Sequence, residues 1–330
     1  MRVLLWAVLG LGVLWGAYWF VGSHVVQNAV VAGFAGTAGQ VVQASNGGVS
    51  VAGFPNRFDL TVTAPEISNA AAGWDWNAPF AQVFALTWKP WNVIAALPND
   101  QTINVAGQVI GVHSNRMMGS LLLQPSTSLA LEEVVVEGAG LAVTSNLGWK
   151  VGAEKVVLAS RADAAEKNAQ ELGLDVTNLA PDAAFVALLP ELGPTVSLIH
   201  LDAVLSLTAP LDRNAGETQP KISGIVVRDI EVTWGALQIT AKGKVVPGPD
   251  GLADGTVDIL IKGWRSVPRL IAAAGWIAPG AAKPVENALA ALAKSGSDPE
   301  VLSLPLTFQK GWTNLGPLPL GPAPRLAQWQ

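Results

Sequence analysis

The sequence predicts a mainly β protein, with an N-terminal transmembrane helix followed by a curved antiparallel β-sheet domain and a few short helices. Three observations predict it. Residues 3–22 are apolar throughout, and the first charged residue after Arg2 is Arg57. From residue 48 onward, apolar side chains recur at every second position, as a half-buried strand requires. Only 14% of the residues are charged and 50% are hydrophobic, where roughly 25% charged is usual, so the chain carries more apolar surface than an ordinary domain of this size.

Taken in order, residues 1–22 read as a cytoplasmic tip and membrane anchor. About 20 apolar residues rising 1.5 Å each just cover a hydrocarbon core of roughly 30 Å. Arg2 and the amino terminus are the flanking positive charges, and positive flanks stay cytoplasmic, which directs the rest of the chain across the membrane. Trp15, Tyr18 and Trp19 crowd the far end of the run, where aromatic rings settle between headgroups and hydrocarbon. The rival reading is a cleaved signal peptide. Against it, the apolar core is long, and Ser23-His24-Val25-Val26-Gln27 offers no clean small-x-small cleavage site. Either reading exports the domain. Gly12 and Gly16 form a GxxxG pair that lets two such helices approach and form a homodimer, although glycine is also simply common in spanning helices.

Residues 23–47 read as a juxtamembrane helix or a stalk. Val26, Val30, Phe34, Val41 and Val42 can line one side of a helix, while the glycines of this stretch weaken it. Residues 48–330 then form one β-rich domain, with weak subdivisions near 161–171 or 212–221, where charged and polar residues gather.

Within that domain Phe58, Leu60, Val62 and Ala64 alternate with Arg57, Asp59, Thr61 and Thr63. Leu172, Leu174 and Val176 alternate with polar or small neighbours in the same way, as do Leu237, Ile239 and Ala241. Pro247-Gly248-Pro249-Asp250-Gly251 separates two alternating runs and predicts a hairpin, hence antiparallel pairing. Further strands are expected near 49–54, 82–88, 101–112, 117–124, 129–136, 141–145, 155–161 and 195–207. Short helices are expected near 182–192, 267–274 and 285–294. A faint echo between 137–144 and 233–240 suggests a repeated hairpin edge.

The chemistry the sequence excludes is broad. Without cysteine there is no disulfide framework and no catalytic or metal-binding thiolate. GxSxG, P-loop and HExxH patterns are missing, and so is a strand–glycine–helix dinucleotide motif. His24, His113 and His200 are the only histidines. His200 and Asp202 share a strand face, yet Ile199, Leu201, Ala203, Leu205 and Leu207 form the opposite, buried one, so the pair is expected on the wet face. Neither catalytic residues nor a cofactor or metal site are assigned, and an enzyme is the less favoured reading. A net charge of −5 supplies no basic field for nucleic acid.

Thirteen tryptophans stand against one tyrosine. The densest group is Trp74, Trp76 and Phe80, followed by Trp88 and Trp91, and in extended chain Trp74 and Trp76 point to one face. Such rings offer wide apolar area with an N–H handle. They are the candidate surface for an apolar ligand or partner, the alternative being that they plug the end of a sheet.

The segments Val-Ser-Val-Ala-Gly-Phe-Pro-Asn-Arg-Phe-Asp at 49–59, Gly73 to Phe80, Leu304-Pro305-Leu306-Thr307-Phe308 and Gly316-Pro317-Leu318-Pro319-Leu320-Gly321 resemble an alphaproteobacterial family, domain of unknown function two-one-two-five. That resemblance covers nearly the whole chain and implies an architecture without a mechanism. More loosely, the chain is similar to the AsmA and TamB type of inner-membrane-anchored periplasmic proteins. That similarity implies a lipid carried along an apolar β-groove. The resulting expectation is a periplasmic protein tethered to the bacterial inner membrane by a single span. It binds a lipid or other hydrophobic envelope component without chemistry, or alternatively docks an envelope protein through its apolar face. An anchored hydrolase is the remaining reading.

Overall fold

The computed structural model describes residues 1–294 and 298–326. Its first element, α1 (Arg2–Gly36), is one unbroken helix of 35 residues. The apolar run and the residues after it are therefore one element, and the stalk alternative gives way to helix as far as Gly36. Thr37 ends it. Its hydroxyl donates to the Phe34 carbonyl at 2.7 Å and accepts the Ala44 N–H at 2.8 Å, which turns the chain back toward the first strand.

The rest of the chain is mainly antiparallel β-sheet, and the chain as a whole, α1 included, divides into two compact units, Met1–Pro125 with Val136–Gly148, and Ser126–Val135 with Trp149 onward. Residues 161–171 and 212–221 both lie inside the second unit.

The first unit holds α1, β1 (Gln43–Ser45), β2 (Gly48–Ala52), β3 (Arg57–Thr63), β4 (Glu66–Asn69), β5 (Trp74–Asn77), β6 (Phe80–Leu86), β7 (Lys89–Leu97), β8 (Asp100–Val105), β9 (Gln108–His113), β10 (Arg116–Leu123) and the later part of β11 (Leu131–Ser145). One run of pairings is β2–β3–β6–β7–β10, and a second is β1–β4–β5–β8–β9–β11. In the first run, register places Val49 and Val51 beside Val62 and Leu60, and these beside Ala81 and Val83. Phe58, Leu60 and Val62 of that run are buried, and α1 packs against Phe58 through Trp19 and Gly22.

The second unit holds β12 (Lys150–Ala162), β13 (Ala169–Ala180), α2 (Ala183–Val186), β14 (Val196–Leu207), α3 (Ala215–Thr218), β15 (Ile222–Trp234), β16 (Leu237–Pro247), β17 (Ala253–Lys262), α4 (Val267–Ala273), α5 (Ala282–Lys294), β18 (Val301–Gln309), β19 (Trp312–Leu315) and β20 (Leu318–Pro322). From β12 to β20 every strand pairs antiparallel with the next, a meander. The predicted hairpin is there, with Pro247 opposite Ala253. Residues of α2, α4 and α5 close over one end of the sheet around Leu189, Leu192, Trp234, Leu237, Trp264 and Leu302.

Three expectations are corrected. Residues 101–112 make two strands, because Ala106 and Gly107 both adopt positive φ, 50° and 79°, and close a two-residue turn. The stretches 129–136 and 141–145 join into the single long strand β11. The suggested repeat dissolves, since 137–144 runs on inside β11 while 233–240 turns between β15 and β16, with Trp234 opposite Leu237.

Candidate functional site

Helix α1 is fixed to its own β unit by three aromatic side chains that donate to backbone carbonyls. Trp15 Nε1 bonds Pro55 O at 3.1 Å, Tyr18 Oη bonds Thr87 O at 2.8 Å, and Trp19 Nε1 bonds Arg57 O at 2.7 Å. Gln27 adds a bond to Val49 O at 2.9 Å. Trp19 is 7% exposed; its ring meets Phe54 edge-on at 5.4 Å and stacks on Phe58 at 6.3 Å. Gly22 permits this approach, because a Cβ there would meet the Phe58 ring at 2.7 Å. The sequence places these aromatics at a membrane boundary, but their polar atoms serve the β unit.

The glycine pair is split in the same way. A Cβ at Gly16 would meet the Phe54 ring at 3.7 Å, while one at Gly12 would meet nothing within 4 Å. One half of the proposed helix–helix contact is thus occupied by the chain itself.

The structure separates the five aromatic candidates. Trp74 and Trp76 do lie on one face of β5, and Trp76 Nε1 donates to Gln101 Oε1 at 2.9 Å. Phe80 opens β6, opposite Thr63. Trp88 sits beyond the other end of β6, eight positions on or ~26 Å away along an extended strand, in the turn that joins β6 to β7, and Trp91 lies on β7. They do not make one patch.

A broad apolar surface that pairwise sequence inspection misses is the face that register builds across the second unit. Leu158 of β12 stands opposite Leu174, which stands opposite Leu201, then Ile230, Ala241, Ile259 and Leu304 on β18. The flanking rows are also mostly aliphatic, with Val176, Ile199 and Val232 on one side and Leu172, Ala203 and Val227 on the other. At a spacing of roughly 4.8 Å, seven strands carry this stripe over ~29 Å. Helices cover one end of it, but Leu172, Leu174, Leu201 and Ile230 are only half-buried, and Leu158 is 54% exposed. At another part of the same face, Leu205 and Leu207 join Leu211, Ala215 and Pro220 around a cavity of about 460 Å³.

The opposite face is charged. Arg228 reaches Glu171 at 2.9 Å, Asp163 at 3.2 Å and Asp202 at 3.8 Å, and Arg161 pairs with Glu171 at 2.7 Å. Hydrogen bonds from Arg228 and Arg161 hold the Glu171 carboxyl below its usual range. Backbone N–H groups of Glu166 and Ala165, and then Arg228, do the same for Asp163. His200 Nδ1 lies 2.7 Å from Asp175 Oδ1, its register partner, and that hydrogen bond raises its pKa. His200 and Asp202 are therefore on the wet face, each with a cross-strand charge partner. Among the described residues no group of three or more histidines and carboxylates is placed to hold a metal ion.

These features define a mainly antiparallel β protein, led by an apolar helix long enough to cross a membrane. Residues 19–324 match the family model described as an uncharacterized protein conserved in bacteria, DUF2125, and the chain belongs to that family. No curated protein and no solved structure matches it.

Proposed function

We propose that this is a single-span protein of the bacterial inner membrane whose periplasmic β body holds a lipid or another hydrophobic envelope component, without catalysing a reaction. The half-open aliphatic stripe from Leu158 to Ile230 carries this reading. A soluble monomer rarely leaves so wide an apolar surface without an occupant, and a lipid tail is satisfied by aliphatic contact alone. The few polar groups on that face suit a ligand that needs burial more than recognition.

Lipid extraction and native mass spectrometry of the full-length protein, purified in mild detergent, test it. Acyl-bearing molecules should stay with the wild-type chain. Lipid-free, monodisperse protein that instead retains a defined envelope protein through the same face would replace this reading with an assembly role.

A further inference from the structure

The wired helix places part of the first unit at a definite depth. The uninterrupted exposed run of α1 is residues 2–15, and at 1.5 Å per residue it reaches about 21 Å, short of the roughly 30 Å of a hydrocarbon core. A spanning α1 must therefore use residues up to about Gly22. That is the level at which Trp15, Tyr18 and Trp19 bond Pro55, Thr87 and Arg57. The loops at 54–57 and 87–89 cannot stand off from the bilayer unless those bonds break.

Their side chains suit that position. Phe54 is 56% exposed and Trp88 is 49% exposed, with two exposed cations beside them, Lys89 and Arg57, the latter paired with Asp59 at 2.8 Å. Aromatic rings favour the headgroup–acyl boundary, and long basic side chains reach from it to phosphate. The rings expected to form that belt on α1 have their N–H and O–H groups satisfied by backbone carbonyls. Phe54 and Trp88 add exposed rings at the same level.

We infer that these two loops are a second membrane contact: they seat the β unit in the outer boundary of the bilayer that α1 crosses, with phospholipid as the partner. The inference rests on the reading of α1 as a membrane span. It makes α1 and the first unit one rigid insertion device, in which the helix is not a loose tether.

Because the chain has no cysteine, single labelling sites are clean. The full-length protein carrying Phe54→Cys, Asn56→Cys or Trp88→Cys would be labelled with a polarity-sensitive fluorophore and reconstituted in vesicles of phosphatidylethanolamine and phosphatidylglycerol. Leu9→Cys in α1 and Leu147→Cys in the exposed turn after β11 are the references. Blue-shifted emission and quenching by lipid-borne quenchers are expected at 9, 54, 56 and 88, with a water-like signal at 147. Asn56→Cys disturbs no ring packing, so it reports even where Phe54→Cys unsettles the helix. A lipid signal at 9 with water-like signals at both 56 and 88 overturns the seating. A water-like signal at 9 as well overturns the membrane reading on which it rests.

Discussion

Trp19 on helix α1 donates its indole N–H to the backbone carbonyl of Arg57, on β3, at 2.7 Å. Thirty-eight positions separate the two residues in sequence, and the bond joins the apolar leader to β3. Phe54 and Phe58 complete the seat around the same ring. A segment whose composition suits a membrane span is thereby also a core element of the first unit.

Removing the indole should unsettle that unit. Trp19→Ala should cost about 3–5 kcal/mol, as large-to-small changes at buried aromatics do. Trp19→Phe keeps most of the ring and leaves the Arg57 carbonyl unpaired, at about 1–3 kcal/mol. Thermal melts of the full-length protein in detergent should rank the two in that order. Equal stability of all three proteins would show that the helix is not part of the fold.

Glycine substitutions along α1 should be uneven. At Gly22 a side chain meets the Phe58 ring, and overpacking of this kind costs typically about 1–3 kcal/mol. At Gly12 there is open space. Gly22→Leu should lower the melting temperature and Gly12→Leu should leave it nearly unchanged. Cross-linking of the Gly12→Leu protein reads the dimer question separately, through loss of any helix-mediated dimer.

The apolar stripe can be altered where it is exposed. Leu158→Glu places a charge on the face shared with Leu174 and Leu201, yet Leu158 is largely open to solvent. Stability should move by no more than about 0.5 kcal/mol, as surface changes do, while the lipid recovered per mole of protein should fall. Unchanged lipid content with Leu158→Glu and Leu201→Gln combined would count against this stripe as the binding surface.

The His200–Asp175 pair makes a pH prediction with a definite sign. The hydrogen bond to Asp175 raises the folded-state pKa of His200 above its unfolded value of about 6.5. Its contribution is then fully present below that value and is lost as pH rises through the raised one. An exposed pair of this kind is worth about 0.2–1 kcal/mol. His200→Gln should lower the melting temperature slightly at about pH 5.5 and match the wild type at about pH 9, where both histidine states are neutral. A difference that grows toward high pH would reverse the assignment.

Much of the β architecture is legible residue by residue. Alternation at Phe58–Leu60–Val62 and at Leu172–Leu174–Val176 marks strands and also says which side is buried, because successive side chains of a strand point to opposite faces. The His200 and Asp202 face followed from that rule alone. Turn chemistry is legible where proline and glycine announce it, as at residues 247–251. It is not legible at Ala106-Gly107, where an alanine takes positive φ and the flanking run looks continuous. The Arg228 network was also hidden, since its partners lie on β13, β14 and the loop before β13, and meet only once register is set.

The apolar leader, the strand-built body and the surplus of hydrophobic side chains are readable from the order of residues, because each is a local property of the chain. The remaining features arise from long-range contacts. Hydrogen-bond register lined up Leu158, Leu174, Leu201 and Ile230 from four strands into one stripe, and packing bound Trp15, Tyr18 and Trp19 to carbonyls 38 to 69 positions away. Both depend on contacts between distant segments, whose partners are chosen by the fold as a whole and carry no mark in the residues nearby.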